Sequence, residues 1–187
     1  MLFRSSHVTP EWERYDMLFG TTDDVPRRSR TSVRVLFDRD GLDALLAEPG
    51  GPQRPDPAKV HTTTTEFLRV LGLLPVVIGR EEYVVAASGA GLLRTLLIQL
   101  MVEDPEVEDR GGALKLRGLL PPERLEALTG LPPIAATRES AIEAHLACAR
   151  LFLPYARELS ERTGVAWPAD LEAAARSHLQ ATLAVTF

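Results

Sequence analysis

The sequence predicts an α+β protein that is mostly α: the remnant of a small β-sheet followed by a bundle of about five helices. Three observations predict this class. Before residue 41, hydrophobic residues alternate over two short runs, as they do in half-buried strands. Pro49, Pro52 and Pro55, set around Gly50 and Gly51, then interrupt the chain. Beyond them, apolar residues recur every three or four positions, the period of helices with one buried face.

The first strand expected is Arg14–Phe19, with Tyr15, Met17 and Phe19 on one face and Asp16 and Leu18 on the other. The second is Ser32–Phe37, in which Val33, Val35 and Phe37 share a face. It stops at Asp38-Arg39-Asp40-Gly41, read as a turn and cap. Two strands alone are marginal in water and leave both edges unpaired. The chain is therefore expected to self-associate or to take a partner chain through those edges, unless its own helices cover them. A short helix from Leu42 to Ala47 leads into a Pro/Gly-rich linker. The expected organisation is a β part over residues 1–48, a linker over 49–56 and a helical domain over 57–187.

Asp56-Pro57 reads as a helix start, an N-cap carboxylate followed by proline at the first helical position. Val60, Thr64, Phe67, Leu68 and Leu71 then make one face, with Gly72 as a stop or kink. The longest apolar block, Glu66 to Glu103, reads as two core helices meeting near Gly79-Arg80. It has no charge-free apolar window of about 18 residues, which argues against a membrane span. Asp104-Pro105 ends the second helix, and an acidic surface loop is expected at 106–112. Pro121-Pro122-Glu123 opens a small helix. Thr137 starts a long amphipathic one through Ile142, Leu146, Ala149, Phe152, Ala156 and Leu159. Gly164 ends it and Pro154 should kink it. A last helix begins at Trp167-Pro168.

The 187 residues are 45% hydrophobic and 25% charged, enough for a real core. A net charge of −5 argues against a nucleic-acid-gripping protein. Cys148 is the only cysteine, so no disulfide framework is available, and a buried inert thiol is expected there. His7, His61, His145 and His178 form no HxxxH or HExxH pair. The opening MLFRSSHVTPEW lacks an apolar leader region, which points to a cytoplasmic protein.

The segment from His7 to Phe19 resembles the last core strand of a nucleotidyltransferase domain of the DNA polymerase β superfamily. Val35–Leu42, Phe67–Arg94 and Trp167–Glu172 are similar to the helical C-terminal part of bacterial nucleotidyltransferase-like proteins. The resemblance implies Mg²⁺ and an NTP as cofactor and substrate, and a small hydroxylated acceptor. It also implies that Asp16 is the third catalytic, metal-holding carboxylate. A Gly-Ser turn and a D-x-D strand should precede that carboxylate, and only fifteen residues stand before Asp16. The expectation is thus the acceptor-binding portion of such a protein, inactive alone, its N-terminal half lost by truncation, a misassigned start or a gene split. The alternative is a non-enzymatic helical module that binds a small ligand or a partner chain.

Four further residues are candidates for an acceptor site. Arg80, Glu82 and Tyr83, with Glu81, sit where the two core helices meet, and either line a pocket or cap and pair with one another. Arg94, set among leucines, is either an ion-pair partner or a phosphate contact. Ser88-Gly89-Ala90-Gly91 lacks the lysine and the strand of a phosphate loop and reads as a close helix–helix approach. Tyr155 and Trp167 read as core.

Overall fold

A computed structural model describes residues 3–108, 110 and 115–187, which fall into two compact units, Met1–Gln53 and Arg54–Phe187. The division lies inside the Pro/Gly-rich stretch. The protein is mostly helical, with a two-stranded antiparallel hairpin ahead of about five main helices.

In the first unit, β1 (Phe3–Val8) pairs with β2 (Arg14–Phe19), with Phe3 opposite Phe19 and Val8 opposite Arg14. The strand expected at Ser32–Phe37 does not form. Val33, Val35 and Phe37 lie in irregular, exposed chain. Chain economy explains the difference. The loop from Thr9 to Glu13 closes a tight hairpin, with the Thr9 N–H donating to Glu13 O at 2.9 Å and Trp12 at φ 63°. Bringing residues 32–37 to β2 would close a longer loop for no better edge.

The hairpin has two unlike faces. Phe3, Ser5, His7, Tyr15, Met17 and Phe19 share one; Arg4, Ser6, Val8, Arg14, Asp16 and Leu18 share the other. Asp38-Arg39-Asp40 is a turn as expected. The Asp38 carboxylate accepts from the N–H groups of Asp40, Leu42 and Asp43 at 3.0–3.2 Å. A short 3₁₀ turn follows at Leu42–Leu45.

In the second unit, α1 (Pro57–Gly72) starts on the Asp56 side chain, which accepts from the Ala58 N–H at 2.9 Å. The first core helix of the expected pair is split. α2 (Leu74–Gly79) is a separate short segment, and α3 (Tyr83–Glu103) begins three residues after it. α4 (Leu116–Leu119) and α5 (Pro122–Thr129) are short. α6 (Arg138–Thr163) is capped by Thr137, ends at Gly164 in the left-handed region and carries Pro154 without ending there. α7 is Ala169–Leu183. Of the acidic loop expected at 106–112, residues 109, 111 and 112 lie outside the described residues.

α3 packs on α1 and α6, and α1 also packs on α6 and α7. Phe67 of α1 and Phe152 of α6, both fully buried, stack with centroids 3.7 Å apart and planes 4° from parallel. Burying two such side chains is worth about 1.5–3 kcal/mol each. By length and composition, Pro57–Gly79 and Tyr83–Glu103 are apolar enough to cross a membrane, at mean hydropathies of 1.2 and 1.6. Their Val60, Phe67, Leu71, Leu93, Leu97 and Leu100 instead join one core with α6 and α7. Such a core helix passes the same hydropathy test.

Candidate functional site

Asp16 stands on the open hairpin with its carboxylate already engaged. The Ser6 hydroxyl donates to Oδ1 at 2.6 Å, and Arg4 and Arg14 reach Oδ2 at 3.0 and 2.9 Å. The Ser6 hydrogen bond, followed by the two guanidiniums, holds the carboxyl below the ordinary aspartate range. These partners supply the positive charge that a metal ion would supply. Among the described residues, no three His, Cys, Asp or Glu side chains gather to hold a metal. Among the described residues, those around Asp16 therefore do not fit a two-Mg²⁺ nucleotidyl-transfer centre.

The four acceptor-site candidates do not converge. Arg80 and Glu82 are exposed in the link between α2 and α3, where Glu81 adopts φ 57° and backbone bonds to Val76, Val77 and Ile78 close the turn. Tyr83 is half-buried against the core. Arg94 lies eleven residues further along α3, about 16 Å at 1.5 Å per residue. Its guanidinium donates to the Pro132 carbonyl, and its Nε is enclosed without a partner.

Two polar clusters are built more tightly than any of these. At the end of α3, the buried Asp104 accepts from Tyr155 Oη at 2.6 Å, from Arg124 at 2.7 Å and from Arg162. Burial opposes its charge, but these bonds outweigh burial and keep its carboxyl below the ordinary range. Burial and the bond to Asp104 raise the Tyr155 hydroxyl. The neighbouring Glu103 takes Arg110 at 3.0 Å, Lys59 at 3.2 Å and the Asp56 N–H at 2.9 Å. On α7, the buried Glu172 accepts from Trp167 Nε1 at 2.7 Å and from Arg157 and Arg176 at 2.6 and 2.9 Å. Every polar group in both clusters is answered by another, so they read as clamps between elements.

One of the open grooves, of about 250 Å³, lies where α1, α2 and α3 meet α6. Val70, Leu73, Leu74 and Val77 form one wall, and Val85 and Leu92 the other. His145 of α6 lies at its floor, only 2% exposed. Its Nδ1 is 2.7 Å from the Ala141 carbonyl, so Nδ1 carries the proton and Nε2 a free lone pair. Burial lowers the His145 pKa, which keeps the ring neutral. Nε2 faces Gly89 of α3. A Cβ there would sit 3.2 Å from Nε2, tighter than nine in ten real Cβ contacts. Gly89 thus provides the close helix approach expected of the Ser88–Gly91 run, whereas Gly91 has open space around it.

Sequence reasoning missed this site. His145 reads as one of four scattered histidines, and its partner Gly89 lies in another helix. The one available signal was a histidine on the otherwise apolar face of the α6 pattern. No family model, curated protein or solved structure matches the chain.

Proposed function

We propose that the helical unit is a small-ligand-binding module and that this chain does not carry out nucleotidyl transfer by itself. The observation that carries this reading is His145. It is a buried, neutral imidazole with an unused lone pair at the floor of an apolar groove. Ligand sites are built this way, from apolar walls with a few placed polar groups. Leu73, Val85 and Leu92 at the groove mouth are 45%, 51% and 41% exposed, an apolar rim that water alone covers poorly. The nucleotidyltransferase reading would need Asp16 to exchange two arginines for metal, and among the described residues no group of three His, Cys, Asp or Glu gathers to hold one.

Two measurements test the proposal. Titration with toluene, an apolar probe without polar atoms, should shift backbone amide resonances in residues 70–77, 85–92 and 141–146, and leave the hairpin unmoved. Incubation with Mg²⁺, the four NTPs and a panel of hydroxylated acceptors should give no turnover above that of Asp16→Ala. Turnover that depends on Asp16 would overturn the reading in favour of the transferase, and absence of toluene shifts would remove its support.

A further inference from the structure

The lining of the groove narrows its ligand to one chemical class. Only Arg69, Ser88 and His145 bring polar side-chain atoms to it. Arg69 pairs with Glu66, with Nε and Nη2 at 2.7 and 2.6 Å from the two carboxylate oxygens, and keeps its other N–H groups. That pair is neutral as a unit, so neither an anionic nor a cationic ligand meets an uncompensated charge there. Ser88 gives its proton to the Val84 carbonyl at 3.1 Å and so faces outward only as an acceptor. His145 offers a second acceptor. Its Nδ1 proton is held by Ala141, and Nε2 has no partner. The enclosed unpartnered side-chain polar atoms among the described residues are Thr64 Oγ1, Thr65 Oγ1, Arg94 Nε and Ser160 Oγ. Nε2 is not among them; it faces Gly89, which lines the groove with it. The groove therefore holds two acceptors, and its free side-chain donors are the remaining N–H groups of Arg69.

We propose that the groove takes an uncharged, flat or compact molecule of indole or phenol size, apolar over most of its surface, whose single N–H or O–H donates to His145 Nε2. The inference rests on the binding-module reading and adds the ligand class to it. At about 250 Å³ the groove lies below the range of about 300–1,000 Å³ that suits drug-sized ligands, which limits the occupant to one or two small rings. A carboxylate or phosphate bound there would face the lone pairs of Ser88 and His145 and, at Arg69, a guanidinium already neutralised by Glu66. A pure hydrocarbon fits the walls and leaves Nε2 unanswered, and an N–H or O–H donor satisfies it.

Calorimetric titration of the full chain with indole and with 1-methylindole isolates the donor, since the two differ by the N–H and one methyl. Indole should bind about tenfold more tightly, the ratio of one hydrogen bond to a buried acceptor. Gly89→Ala sets a methyl 3.2 Å from Nε2 and should bring that ratio to about one. Val85→Lys, at a half-exposed rim position, should weaken both ligands and keeps the test open should Gly89→Ala fail to fold. Equal affinities for indole and 1-methylindole in the unmodified chain would overturn the ligand class while leaving the groove, as read by toluene, intact. Unchanged binding in Val85→Lys would overturn the location.

Discussion

Asp16 and Asp104 have nearly the same partners, two arginines and one hydroxyl each, in opposite surroundings. Asp16 meets Arg4, Arg14 and Ser6 on an open hairpin, with its side chain 32% exposed. Asp104 meets Arg124, Arg162 and Tyr155 at the end of α3, with its side chain 6% exposed. Arg124 also sits over the Tyr155 ring, 4.6 Å from its centroid, and donates to its hydroxyl at 2.8 Å. Contact lists alone would rank the two sites equal. Solvent decides otherwise: exposed pairs contribute little because water and salt screen them, whereas breaking a buried pair strands charge where water cannot reach.

The comparison can be broken at several points. The largest effect is expected from Asp104→Ala, which leaves the Tyr155 hydroxyl without its acceptor and takes the carboxylate from Arg124 and Arg162. Urea unfolding should show a loss of about 3 kcal/mol, the lower end of the range for removing one partner of a buried pair. A loss indistinguishable from that of Asp16→Ala would mean that burial is not what separates the two sites.

Acid should weaken the helical unit in two stages. His145 has a folded pKa below its unfolded value of about 6.5, so the unfolded chain takes up the proton first and stability falls as pH drops below about 6.5. Arg69, the charged group on the same groove, adds to the cost of a second positive charge. Asp104 and Glu172 are depressed below their ordinary values, so their contribution is present above about pH 4 and is lost as pH falls through their folded values. Thermal unfolding followed from pH 7 to 3 should show both declines. A flat profile between pH 7 and 5 would contradict a neutral buried His145.

A third effect concerns the hairpin. Leu46 is the one buried hydrophobic residue among the described residues of Met1–Gln53, while Phe3, Trp12, Tyr15, Phe19 and Phe37 are half-exposed or more. The proposal that this unit self-associates through its aromatic face and free edges predicts a species heavier than a monomer in light scattering at micromolar concentration. Phe19→Ser should lighten it. A monomer in the unmodified chain would end the proposal. The smallest effect is expected from Asp16→Ala, with no measurable shift of the unfolding midpoint in 1 M salt.

Helix boundaries were legible because they are local. Asp56-Pro57, Thr137 and Gly164 act on residues within a turn of themselves. β2 was legible from its alternation. β1 was not, because Arg4-Ser5-Ser6-His7 carries no apolar rhythm and is defined by its partner rather than by its own composition. Ser32–Phe37 alternates well and forms nothing, since alternation describes a face and not the neighbour that must cover it. The clusters were illegible for a related reason. Asp104 finds Arg124, Tyr155 and Arg162, and Gly89 finds His145, only after helices far apart in the chain have packed. Asp104 reads locally as a helix stop, and Tyr155 as core.

Glu103 and Asp104 close α3 at the negative pole of its own peptide dipoles, where acids are unfavourable. The chain answers with cations from α1, the following loop, α5 and α6, namely Lys59, Arg110, Arg124 and Arg162. That end of α3 is therefore riveted to every element around it. The other end, at Arg80 to Tyr83, has no ion pair among the described residues, and Val84 beyond it is 70% exposed. α3 should breathe from its N-terminal end, like a door hung at Asp104, with backbone amides near 87 exchanging with solvent before those near 100. Uniform exchange along α3 would remove that asymmetry. The groove lies on the side that opens.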